Sequence, residues 1–260
     1  MSATAAAPGS VTTVFVPQDG EASLGVSFAT ADGVTATVER AAEPTVVLDG
    51  QPTEVEPVSG VLRRLDAPAR VRLSTDVPIG CGFGVSGAAT LATALAVNAD
   101  QQLGHERTAL VQAAHRAEVE AGTGLGDVFI QDRGGLVWDL GAGLCHTERT
   151  ARIEYVSFGE METAAVLGDE GAMKRVAEAG QAALGTLDPT GPLGPLFEAS
   201  WRFAERVGLA TASVSAAVAD VRDADGAATM AMVGETVVAA DVDGVLPHAT
   251  RIAAEGAQVR

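Results

Sequence analysis

The segment Pro78-Ile79-Gly80-Cys81-Gly82-Phe83-Gly84-Val85-Ser86-Gly87-Ala88-Ala89 is where residue types and spacing most clearly offer chemistry. Glycines let the backbone take positive φ and approach a ligand closely. The apolar run that follows, Ser86 to Asn98, predicts a buried helix, so unbonded N–H groups and the positive dipole end face the glycines. That is a phosphate cradle. The dipole contributes only about 0.3–1 kcal/mol at an exposed end, so several N–H hydrogen bonds and a cation such as Mg2+ must complete it.

Three frames fit such a loop. A Walker A loop needs Gly-Lys-Ser/Thr, and the single lysine, Lys174, lies far away, which excludes it. A dinucleotide fingerprint is met literally by Gly82, Gly84 and Gly87. It also requires a second strand bearing an acid after the helix, where this chain instead predicts another helix, His105–Ala121. The third frame is a plain helix start, with Ser86 as N-cap and the glycines there for packing.

Two acids stand nearby in sequence. Glu118 sits beside the inner face of the second helix, marked by Leu110, Ala114, Ala117 and Ala121. An unpaired carboxylate there is costly, and either a metal or an arginine such as Arg133 relieves it. Asp127 follows Gly122-Thr123-Gly124-Leu125-Gly126, and its bland role is to cap the next helix. His115 has no metal-ligand spacing with His105, His146 or His248 and reads as structural. Cys81 lacks a basic neighbour in sequence and reads as a small packing residue.

The elements that must hold these groups are short and mixed. Val11–Val16, Gly25–Thr30 and Val34–Glu39 read as strands, the last two split by a turn at Ala31-Asp32-Gly33. Thr45–Leu48 ends at the hairpin signal Asp49-Gly50. Ala69–Ser74, Gly135–Leu140, Ile153–Phe158 and Thr163–Leu167 complete the early strands. Met173–Leu184, Pro195–Val207 and Ser213–Asp223 are helical, with Gly208 as a natural stop. Thr229–Val233 and Glu235–Ala240 close the chain as a hairpin pair. The lack of regular alternation predicts an α+β fold, with a soft boundary near residue 150 separating 1–150 from 151–260.

Composition narrows the partners. The 260 residues carry 17 basic and 34 acidic side chains, a net charge of −17. No basic footprint for nucleic acid is present, and an anionic membrane surface is equally disfavoured. The uncharged run Val77–Ala99 is broken by Pro78 and several glycines, so it does not read as a membrane span. The opening residues show no secretory signal, and two cysteines make no disulfide framework; the expected location is cytoplasmic. Acid-rich, lysine-poor composition fits a protein adapted to concentrated salt, where carboxylate repulsion is screened. Composition bias of a GC-rich genome is the alternative.

Pro78, Gly82, Gly84, Ser86 and Ala88 also fit Pro-x-x-x-Gly-x-Gly-x-Ser-x-Ala, the second motif of the GHMP small-molecule kinases, which the segment resembles. The glycine variant is similar to the archaeal pantoate kinase branch of that family. Ala7-Pro8-Gly9-Ser10-Val11-Thr12 resembles the first motif. Ala114–Glu120, Thr123–Val128 and Gly134-Gly135 resemble the central block, and Met230–Val237 resembles the third motif. The resemblance therefore touches both ends and the middle. It implies a two-domain GHMP-kinase-like fold with the active site in the interdomain cleft, a homodimer, and ATP and Mg2+ as cofactors. It implies phosphorylation of a small hydroxy acid, pantoate, on the way to coenzyme A.

By the same resemblance, Pro78, Gly80, Gly82, Phe83, Gly84, Val85, Ser86, Gly87 and Ala88 bind the nucleotide. Ser86 and Glu118 hold Mg2+, and Asp127 orients or deprotonates the attacking hydroxyl. Three positions depart from the pattern: Ser10 where the family carries His, Thr13 where it carries Gly, and Asp139 where it carries Arg. These departures leave open a kinase of another small alcohol and a non-catalytic nucleotide or metabolite binder.

Overall fold

The computed structural model describes residues 2–18, 23–124, 126–161 and 170–260. Strands β1 (Ser2–Pro17) and β2 (Ser23–Arg40) form a long antiparallel pair. With β3 (Thr45–Leu48), β4 (Gln51–Pro52), β5 (Ala69–Thr75), β6 (Leu136–Asp139), β7 (Cys145–Thr147) and β12 (Gln258–Val259) they build the larger sheet. Its order is β12-β1-β2-β5-β3-β4, with β6 and β7 continuing from one end of β2. The smaller sheet, β11-β8-β10-β9, is antiparallel and comprises β8 (Arg152–Ser157), β9 (Ala227–Ala231), β10 (Thr236–Ala240) and β11 (His248–Arg251).

The expected turn at Ala31-Asp32-Gly33 is not a turn. β2 runs straight through it, and the register slips opposite Pro8 and Gly9. On the C-terminal side of the slip β2 pairs with β5, and on the N-terminal side with β6. The irregularity is a bulge where one strand changes neighbour, which bends the sheet and re-aims its side chains.

Helices α1 (Glu56–Arg64), α2 (Val85–Gln101), α3 (Arg107–Ala121) and α4 (Asp127–Arg133) cover the larger sheet. Every residue of α2 from 87 to 97 is buried, as its all-round apolar sequence requires. It lies on β1 and β2, flanked by α1 and α3. Helices α5 (Glu170–Leu184), α6 (Leu193–Val207) and α7 (Ala212–Asp223) accompany the smaller sheet. The expected strand Thr163–Leu167 lies outside the described residues. Among the described residues, no helix is long and apolar enough to cross a membrane.

Two apolar cores result. One joins Ala5 and Ala7 of β1, Ala36 and Val38 of β2, and Val71 and Leu73 of β5 to α1, α2 and α3. The other joins Val11, Val14 and Phe28 to the smaller sheet and its helices through Ile153, Met230, Phe197 and Phe203. β1 contributes to both, and β12 brings the last residues back beside Ala5 and Ala6.

Candidate active site

Helix α2 begins at Gly84, whose φ of 59° lies in the left-handed region that glycine enters without a Cβ penalty. A Cβ there would collide with Ser10 Oγ and crowd Gln131 Nε2 and Asp127 Cγ. Ala88 N–H donates to Gly84 O at 3.0 Å. Ala88 therefore spends its donor inside the helix and buries its methyl, so it offers a phosphate nothing. Val85, Ser86 and Gly87 hold the first-turn N–H groups that an α-helix leaves without intrahelical partners. Ser86 is not the N-cap; it sits one residue into the helix.

The Ser86 hydroxyl donates to Glu118 Oε1 at 2.9 Å. Thr90, one turn further along α2, donates to the same oxygen at 2.7 Å, and Thr123 donates to Oε2 at 2.8 Å. Glu118 is 2% exposed. Burial pushes its carboxyl above the usual range, the Thr90, Thr123 and Ser86 hydroxyls hold it back, and the nearby Asp127 charge pushes it further up. The rim-glutamate alternative fails, because Arg133 reaches only the carbonyl of Phe129.

Asp127 opens α4, and Ser10 donates to its Oδ1 at 2.7 Å. Burial raises this carboxyl as well, while the Ser10 hydroxyl and its own backbone N–H lower it. Asp127 Oδ2 and Glu118 Oε2 converge on Gly124, each 3.4 Å from where a Cβ would stand. Among the described residues, no arginine or lysine pairs with either acid.

A cavity of about 720 Å³ opens over this group, walled by β1, β2, β6, the glycine loop and the turn between β9 and β10. Gly80, Gly82, Phe83, Gly84, Val85, Ser86 and Asp127 line it. Pro78, Gly87, Ala88 and Glu118 are not on its wall; Glu118 stands one layer back, behind Ser86 and Thr123. Phe83 commits its ring to the core, edge-on to Tyr155 at 5.0 Å. Ser27, Trp138, Asp139 and Leu144 also line it. His115 is buried against Phe129 and also lines the cavity. Cys81 is buried, and burial raises its thiol, consistent with a packing role.

The smaller sheet locks the loop from behind. A Cβ on Gly234, in the turn between β9 and β10, would collide with the Cys81 backbone. Thr236 Oγ1 donates to Cys81 O at 2.7 Å. In the same turn Val233 takes φ 60° beside the cavity, a strained setting for a β-branched residue.

Thr90 and Gln131 are the site residues that sequence reasoning missed. Both carried a helical signal, for Thr90 is four residues from Ser86 and Gln131 four from Asp127, on shared faces.

The donor set of two desolvated carboxylates and a hydroxyl is hard oxygen without a basic partner, which suits Mg2+. Among the described residues no three His, Cys, Asp or Glu side chains form a metal centre by themselves. Mg2+ commonly takes one or two carboxylates and completes its shell with phosphate and water.

Residues 55–135 match the GHMP kinases N terminal domain. Pantoate kinase of Methanospirillum hungatei is 34% identical over 148 residues, 52% of this chain and 51% of that protein. Pantoate kinase of Methanocaldococcus jannaschii is 29% identical over 170 residues, 63% of this chain and 62% of that one. The chain thus aligns with about half to three fifths of these curated relatives. A solved phosphotransferase related to the CoA biosynthesis pathway superposes with TM-score 0.86 at 24% identity, covering 100% of this chain and 99% of that one. Another solved chain, in complex with MVAPP, AMPPCP and magnesium, gives TM-score 0.71 at 15% identity over 100% and 99%. The fold is the mixed α+β architecture of the GHMP kinases, as the sequence motifs imply.

Proposed function

We propose that the protein is an ATP- and Mg2+-dependent kinase that phosphorylates a hydroxyl of a small hydroxy acid, with pantoate the first acceptor to test. One observation carries this reading. Gly84, Ser86 and Asp127 line a single cavity, and Glu118 is bonded to Ser86 from one layer behind it. The names of the two aligned relatives support pantoate. In this reading residues 1–150 supply the cradle and both acids, and residues 151–260 brace the loop.

The first-turn amides of Val85 and Ser86, which line the cavity, hold the polyphosphate. The Ser86 hydroxyl and Glu118 would hold Mg2+, which when bound would supply charge neutralisation. Asp127 orients the acceptor hydroxyl and takes its proton as that oxygen bonds to the γ-phosphorus. The bond from phosphorus to the departing ADP oxygen breaks in the same transfer. Positioning and charge, rather than covalent chemistry, are what such a site contributes.

A different acceptor is the second reading, and one observation favours it. No arginine or lysine lines the cavity among the described residues, while Asp139 does. A carboxylate substrate would meet few positive partners there.

ADP release should be measured with ATP, Mg2+ and a panel of pantoate, shikimate, homoserine and mevalonate. Release with pantoate supports the first reading, and release with another alcohol supports the second. Silence across the panel, with ATP still bound, supports a non-catalytic binder instead. Asp127→Asn should lower turnover by about 10²–10⁴-fold while ATP binding persists.

A further inference from the structure

Gln131 is fully buried on α4, one turn beyond Asp127. Its Nε2 donates to Ser10 Oγ at 3.1 Å and to Gly84 O at 2.7 Å. An amide nitrogen only donates, so the Ser10 hydroxyl must send its own proton onward, and it does so to Asp127 Oδ1 at 2.7 Å. Ser10 is itself pinned, because its backbone N–H donates to Phe83 O at 2.9 Å. The arrangement has a cost. Gln131 Oε1 is buried with no hydrogen-bond partner, and an orphan acceptor of that kind calls for an explanation. Keeping both donors in place provides one.

We infer that Gln131 and Ser10 are positioning residues: a one-way, uncharged hydrogen-bond chain occupies Oδ1 of Asp127, presents Oδ2 to the acceptor, and ties that carboxylate to the turn that cradles phosphate. The inference deepens the kinase reading and rests on it. Ser10, one of the departures from the family's first motif, is then a working part. The chain joins residues 117 and 121 positions apart in sequence, so it couples β1 to α4 without help from local structure. Gly84 accepts from the same amide, so a shift of Gln131 moves the base and the cradle together.

The test is steady-state kinetics on Ser10→Ala, Gln131→Met and the double variant, each checked for native circular dichroism. Each single change should lower kcat by about ten- to hundredfold, and Ser10→Ala, which leaves the Gln131 bond to Gly84 in place, should keep KM for ATP within about twofold. The double variant should be no worse than the more impaired single one, since both cut one chain. Ser10→Thr, which restores the hydroxyl, should recover most of kcat. Additive losses in kcat, an unchanged kcat in Ser10→Ala, or a rise in KM for ATP alone in Ser10→Ala would overturn the inference. A crystal structure of Ser10→Ala supplies an arm independent of turnover. Asp127 should leave its place or split into conformers, and an unmoved carboxylate overturns the positioning role. If the unmodified protein turns over no acceptor, the kinase reading fails, and this crystallographic arm still decides the positioning role.

Discussion

Glu118, on α3, and Glu154, on β8 of the smaller sheet, are 2% and 1% exposed. Glu118 is met by three side-chain hydroxyls, and its carboxyl is raised by burial. Glu154, on β8, is also pushed up by burial, but the backbone N–H groups of Leu246, Gly244 and Val245 and the Arg152 guanidinium outweigh that and lower it. Hydroxyls can turn away; a row of backbone N–H groups cannot be withdrawn without unfolding the loop. The contrast separates a carboxylate kept for another charge to find from one already neutralised by the fold.

Exchanging each acid for its amide gives the strongest test of that contrast. Glu118→Gln should cost on the order of 10²–10³-fold in kcat/KM, measured by ADP release, without loss of Tm in the metal-free protein. Glu154→Gln should keep its turnover and lose stability, about 2 kcal/mol for charge-assisted hydrogen bonds removed. For a chain of this size that is a fall in Tm of roughly 4–8 °C. Equal effects on turnover from the two changes would erase the distinction.

The pH dependence sharpens it further. A raised carboxyl binds its proton more tightly in the folded state, so stability from Glu118 is present below the ordinary carboxylate range. It is lost as pH rises from there through the raised value. Glu154 does the reverse: its contribution is present above the ordinary range and lost as pH falls through the lowered value. Scanning Tm from acid to neutral pH should show Glu118→Gln gaining on the unmodified protein as pH rises. Glu154→Gln should fall behind it over the same scan. Shifts of the same sign in both variants would refute the assignment.

The cradle was legible in sequence because its grammar is local: glycines, then a helix apolar on every side. The β9–β10 hairpin was legible for the same reason. The bulge in β2 was not, since Asp32-Gly33 carries a turn signal and only the change of partner from β6 to β5 keeps the strand extended. Helix α1 was hidden because Glu56-Pro57 and Gly60 look like a loop, although Pro at the start of a helix is well tolerated. Strands β11 and β12 are too short for a period to show. Ser86, Glu118 and Asp127 could be nominated by type and motif, but the partners that set their charge could not. Ser10 and Gln131 meet across 121 positions of sequence, and no pattern within either segment encodes that contact.

The turn at Gly234 presses on the Cys81 backbone with less clearance than a methyl group, and Thr236 bonds the same carbonyl. Hairpin and loop therefore fit one another as a lock and its key. A chimera that joins the first half of this chain to the second half of a relative would have to carry Gly234 and its turn unchanged. Recombination between diverged copies is constrained at a place far along the chain from the helix whose first turn it protects.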